Sequence, residues 1–269
     1  MTFAGEPVRI VNRKLLCMLA YLAMIDGRRE SRERLVGLLW SESDEKLARG
    51  SLRQVMTAFR RISAELGFDG FDTDRLHVAL SPGRIAVDLE EIERRATADD
   101  LHPLLLDVDD LPSRVLQGCE DIDPAFGAWL PVQREALRDR LLRALSAEME
   151  RLGLDAPGSE NVAKAVLRLD PTHEEAARRL MEARALAGDM GGAVKVYNAL
   201  WKVLEDDYDM EPSAQTAELI ADIKSGGFEE RQPPRPAPGA RRPRPERCPR
   251  PPAAPARGGR PPPAARAAG

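Results

Sequence analysis

From residue 124 onward the sequence runs in an almost unbroken helical period, and it stops at only a few places: Asp155-Ala156-Pro157-Gly158, Asp170-Pro171, Gly188-Asp189 and Glu211-Pro212-Ser213. Between them lie "AFGAWLPVQREALRDRLLRALSAEMERLG", "SENVAKAVLRL", "THEEAARRLMEARALAG", "MGGAVKVYNALWKVLEDDY" and "SAQTAELIADIKSG". Gly and Pro end helices because one favours left-handed backbone and the other lacks an amide donor. Connections this short make each helix fold back along its predecessor, which predicts an antiparallel array of helix pairs. The pair from Thr172 to Tyr208 has the placement of a tetratricopeptide unit, with Ala176, Gly188, Ala193 and Tyr197 where helices must approach closely.

The first 96 residues are built differently. "MTFAGEPVRIV" reads as two small strands about a turn at Gly5-Glu6-Pro7. From Arg13, Leu15, Leu16, Leu19, Leu22 and Ala23 recur at helical spacing until Asp26-Gly27. Ser31 is a suitable N-cap for "RERLVGLLW", and Ser43 or Asp44 for a third helix from about Glu45 to Leu66. Beyond Gly67 the helical period disappears. "RLHVAL", the turn "SPGR" and "IAVD" read as a β-hairpin, with Pro82-Gly83 in the central positions of a type II turn and Arg84 at the tip. Asp88 and Glu91 then start the helix "LEEIERRA".

Three helices followed by a hairpin is the layout of a winged helix. The expected fold is therefore mainly α: an N-terminal winged helix-turn-helix with a small β-hairpin over residues 1–96, then a tetratricopeptide-like α-helical array over residues 97–226, irregular and acidic over its first stretch. Residues 227–269 form an Arg/Pro/Ala-rich tail, expected to be disordered: from Arg231 onward 36 of 39 residues are Arg, Pro, Ala or Gly, a composition that cannot bury a core.

Charge divides along the same lines. The chain carries a net charge of -4, but residues 1–64 hold 12 Lys/Arg against 7 Asp/Glu, residues 65–230 hold 18 against 36, and residues 231–269 hold 10 against 1. A basic front, an acidic middle and a basic tail imply different partners for each part. Within the front, "RGSLRQVMTAFRR" from Arg49 to Arg61 holds four arginines and no acid. On a helical wheel Leu52, Val55, Met56, Phe59, Ile62 and Leu66 share one side, and Gly50, Arg53, Gln54, Thr57, Arg61 and Ala64 the opposite one, with Arg49 and Arg60 at its margin.

Small residues along the middle of that face allow close approach to a duplex, while long donors reach past them. A helix in the major groove needs this relief, with base edges in front and phosphates on either side. Arg53, Gln54 and Thr57 are accordingly expected at or near base edges, Arg49, Arg60 and Arg61 on phosphates, and Arg84 as the wing's contribution. An exposed helix face can be charged for solubility alone, but solubilising faces mix signs, as "LEEIERRA" does.

These segments resemble a known family. "RKLLCMLAYLAM", "SRERLVGLLW" and "ARGSLRQVMTAFRRIS" resemble the DNA-binding region of the SARP (antibiotic regulatory protein) transcription activators, an OmpR-type winged helix. "GCEDIDPAFGAWLPVQREALR", "AVLRLDPTHEEAARRLMEARALAGDMGGAVKVYNAL" and "MEPSAQTAELI" are similar to the bacterial transcriptional activator domain that follows it there. The resemblance spans about residues 3 to 224 and places the family's recognition-helix motif on Ala48 through Arg61. It implies a sequence-specific, DNA-binding transcription activator that binds direct repeats in double-stranded DNA near promoters, recruits RNA polymerase, and forms a homodimer through the helical domain.

Two departures stand out. The family has a strand ahead of the "F.G.PV.I" segment, whereas here Met1 falls almost on it, and larger relatives carry an effector or sensor domain where this sequence has the Arg/Pro tail. Arg, Pro, Ala and Gly can all be encoded by codons beginning with two G/C bases, so a reading-frame shift in GC-rich DNA is one expectation for the tail; sequencing the locus tests it.

Other classes find less support. The alternative to DNA binding is a protein-interaction scaffold, in which the acidic array does the binding and the winged helix contacts protein. No P-loop, G-x-G-x-x-G, HExxH or nucleophile elbow is present, so neither an enzyme nor a cofactor is expected. Cys17, Cys119 and Cys248 are scattered, and His77, His102 and His173 isolated, which supports neither a disulfide framework nor a metal site. The longest apolar run, "LLCMLAYLAMI", falls well short of the roughly 20 residues a membrane span needs, and it lacks a signal-peptide cleavage site. The expected location is the bacterial cytoplasm, on the nucleoid when bound.

Overall fold

The computed structural model describes residues 2–3, 6–81, 83–97, 99–154 and 156–227. Pro82 of the expected turn, Cys248 and the tail from residue 228 lie outside the described residues. Strands β1 (Thr2–Phe3) and β2 (Glu6–Pro7) pair antiparallel. Helix α1 (Arg13–Met24) starts at Asn12, whose side chain accepts the Leu15 amide, and buries Leu15, Met18, Leu19 and Leu22. Strand β3 (Arg29–Ser31) leads straight into α2 (Arg32–Leu39), for which Ser31 is the N-cap. Helix α3 (Glu45–Leu66) is capped by Asp44 and ends at Gly67, whose φ of 69° is the left-handed geometry that glycine adopts without strain.

The sheet differs from the expectation. Strands β4 (Phe71–Thr73) and β5 (His77–Leu80) form the hairpin, and β3 pairs with the other edge of β5, so the order is β3-β5-β4 with Glu30 opposite Val78. The wing tip is therefore Asp74-Arg75-Leu76, and residues 85–87 form no strand. Asp74 makes that turn: its Oδ1 accepts from the amides of Leu76 and His77, both at 2.7 Å. Arg84, expected at the tip, follows the hairpin instead and pairs with Asp69 at 2.9 Å.

After α4 (Asp88–Arg94), the stretch read as irregular contains two single-turn helices, α5 (Leu104–Asp107) and α6 (Leu111–Arg114). The array follows as α7 (Pro124–Arg151), α8 (Ser159–Leu169), α9 (Glu174–Leu186), α10 (Met190–Tyr208) and α11 (Ala214–Ser225), each packed on the one before. Ala176, Ala193 and Tyr197 are buried as the repeat pattern requires. Gly188 instead supplies a turn at φ 81°, and Gly192 leaves room for the cap of its own helix, since a Cβ there would lie 1.9 Å from the Asp189 carboxylate that caps α10. Glu174 at the start of α9 accepts from Ser213 and Thr216 at the start of α11, which fastens the last helix.

Helix α7 belongs to two cores. Phe126 and Leu130 pack with α1, α2, α3 and β5, whereas Leu137, Leu141, Leu145 and Met149 pack with α8 and α9. Pro131, which cannot donate a backbone hydrogen bond, stands at the changeover.

Candidate DNA-binding surface

The surface is built on α3. One side of this helix is fixed by burial of Ala48, Leu52, Val55, Met56, Phe59 and Ser63. Phe59 meets Phe71 of β4 edge to face, with centroids 4.6 Å apart, so the helix and the wing share one packing contact. Ile62 and Leu66, read as core, are half-buried. The opposite side is open: Gly50, Arg53, Gln54, Thr57, Ala58 and Arg61 together line a shallow concavity. Four of the seven predicted site residues thus lie in one depression, and Arg49 and Arg60 are exposed beside it.

Their electrostatic states differ. Arg49 pairs with Glu45 one turn back, and Arg61 with Glu65 one turn on, at 3.6 Å. Exposed pairs of this kind contribute about 0.3–0.5 kcal/mol, so phosphate displaces the carboxylate at little cost. Among the described residues the side chains of Arg53, Gln54 and Arg60 have no hydrogen-bond or ion-pair partner. The Thr57 hydroxyl donates to the Arg53 carbonyl at 2.9 Å, leaving its oxygen free to accept and its methyl free to pack. Sequence reading saw an acid-free segment and missed that Glu45 and Glu65 flank it within reach.

Two exposed cations escaped the reading altogether. Lys46 lies in the first turn of α3, on the outward arc, and Arg75 is at the wing tip. Only the Asp74 side-chain turn could have signalled Arg75, and the stronger Pro-Gly signal further on obscured it. At the tip, the Leu76 and His77 amides hold the Asp74 carboxyl below its ordinary value, and Arg29 pairs with it at 2.9 Å. Arg84 is exposed but neutralised by Asp69.

The array anchors α3 through the turn before it. Asp123, 7% exposed, accepts the Ser41 amide at 3.0 Å and the Ser41 hydroxyl at 2.6 Å, and it also caps α7 through the Ala125 amide at 3.0 Å. Trp129 stacks tilted on Tyr21 of α1 with centroids 5.0 Å apart, and Arg13 of α1 holds Asp121 at 2.6 Å. Cys17 of α1 and Cys119 are buried free thiols in the same core. Burial first, and the contact with Cys119 second, push the Cys17 thiol up to about 12.

Residues 112–224 match the family described as the bacterial transcriptional activator domain. Among solved structures, the chain is similar to Mycobacterium tuberculosis EmbR, determined in complex with a low-affinity phosphopeptide: identity is 21%, the TM-score is 0.56, and the match covers 84% of this chain and 62% of that one. The chain thus spans less than two thirds of the solved relative, and the likeness is one of fold. No curated protein matches it. Among the described residues no helix is long and apolar enough to cross a membrane.

Proposed function

We propose that this chain, in which a region matching the bacterial transcriptional activator domain follows a winged helix-turn-helix, is a SARP-type transcriptional regulator whose α3 reads a specific sequence in the major groove of double-stranded DNA. The observation that carries this is the open face of α3, where Arg53 and Gln54 stand unpartnered beside Gly50 and Thr57. Bidentate donors in a shallow, uncluttered depression suit base edges, Arg for guanine and Gln for adenine. Arg49, Arg60 and Arg61 serve as phosphate contacts, and Arg75 takes the wing-tip role expected of Arg84. Arg84 contributes at the flank once phosphate displaces Asp69.

The array supplies the rest of the regulator. It holds the turn before α3 through Asp123, and we assign to its acidic helices the contact with RNA polymerase and the homodimer that would place two winged helices on a direct repeat. Selection of genomic DNA fragments by the purified full-length protein tests the proposal. Recovery of a direct repeat supports it, and recovery of fragments with no shared motif would sink it.

A further inference from the structure

The first turn of α3 presents a leucine to solvent: Leu47 is 69% exposed although it is one of the largest apolar side chains on the helix. Its direction is fixed, because the Asp44 side chain caps the helix by accepting the amides of Lys46 and Leu47 at 2.9 and 3.4 Å. Seven residues separate Leu47 from Gln54, so the two project within about 20° of each other on the helix. The residues one turn on are Gly50 and Ser51, too small to cover it. A lone exposed leucine is ordinary on a protein surface. This one lies on the face that also carries the unpartnered Arg53 and Gln54.

The face is also sided. Arg49 and Arg60 gather along one flank, and Leu47, Ser51 and Ala58 along the other, about 140–200° further round, with Arg53 and Gln54 between them. A helix in the major groove with one basic flank sets that flank against a phosphate strand and turns the other towards base edges. The apolar group that base edges offer in the major groove is the thymine 5-methyl.

We propose that Leu47 is a specificity-determining residue that packs on the 5-methyl group of a thymine in the bound site. This rests on α3 being the DNA-reading helix. It adds a contact of a different kind to Arg53 and Gln54, since a methyl group is recognised by burial rather than by hydrogen bonding.

The test uses the duplex recovered by selection with the full-length protein, with each thymine in turn replaced by deoxyuridine, which removes only the 5-methyl group. The wild-type protein should lose about three- to tenfold in affinity at one thymine. Leu47→Ala should bind the unmodified duplex correspondingly more weakly and lose its sensitivity at that thymine alone, while Leu47→Met should keep it. Circular dichroism checks that both variants remain folded. Specific binding that is indifferent to every deoxyuridine, or an unchanged deoxyuridine profile in Leu47→Ala, overturns the assignment and leaves the DNA-reading helix standing. Absence of any duplex binding overturns both.

Discussion

Arg53 and Arg60 are both exposed and unpartnered, yet they are assigned different work, and substitution separates them. Arg53→Ala should cost about 1–3 kcal/mol on the selected site and relax preference at one base pair. Arg60→Ala should weaken binding equally on selected and scrambled duplexes, because phosphates are the same everywhere. Competition binding on a panel of single-base variants checks both. A buried residue gives a test of stability instead. Asp123 caps α7 and holds both polar groups of Ser41, so Asp123→Ala should cost about 2–4 kcal/mol by urea denaturation, from the lost cap and the charge-assisted bonds.

At the scale of the element, α1 carries a pH dependence. The Cys17 thiol is held near 12 against an ordinary 9.0. A raised value in the folded protein means that its stabilisation is complete below pH 9 and is lost as pH rises from there towards 12, since the unfolded chain sheds a proton that the folded chain keeps. The slope is at most about 1.4 kcal/mol per pH unit. Urea midpoints from pH 8 to 11 should fall less steeply for Cys17→Val than for the wild type, and parallel curves would contradict this.

Helices and wing were unequally legible in the sequence. Helix α3 was readable almost to the residue, because its buried face and its cap are local signals. The wing was not. Strand β4 is only three residues long, too short for its alternation to stand out, and the turn after it is set by the Asp74 side chain. Strand β3 is three largely polar residues, and its partner β5 lies more than 40 residues on, a pairing that no local pattern records. The same locality explains why Arg53, Gln54, Thr57 and Arg61, expected on one helix face, line one concavity, whereas nothing local in the sequence beyond Asp74 marks Arg75 as the residue at the wing tip.

At the scale of the whole molecule, the winged helix and the array meet in one core rather than at a bare linker. Phe126 is fully buried among residues of α1, α2 and β5. Phe126→Ala should therefore cost about 3–5 kcal/mol and destabilise the winged helix, although the residue belongs to the first helix of the array. Asp123 and Ser41 thus join the start of α7 directly to the turn before α3.

The most direct test of the central claim is the affinity for the selected duplex as a function of salt, measured for the wild type and for Arg53→Ala/Arg60→Ala/Arg61→Ala. With about five phosphate contacts, the wild-type slope of log affinity on log salt should lie near -4 to -5, and the triple variant should lose preference at the base pair read by Arg53 together with about two units of that slope. A triple variant that binds the same duplex with the same affinity and the same slope would contradict the assignment of α3 as the surface that reads DNA.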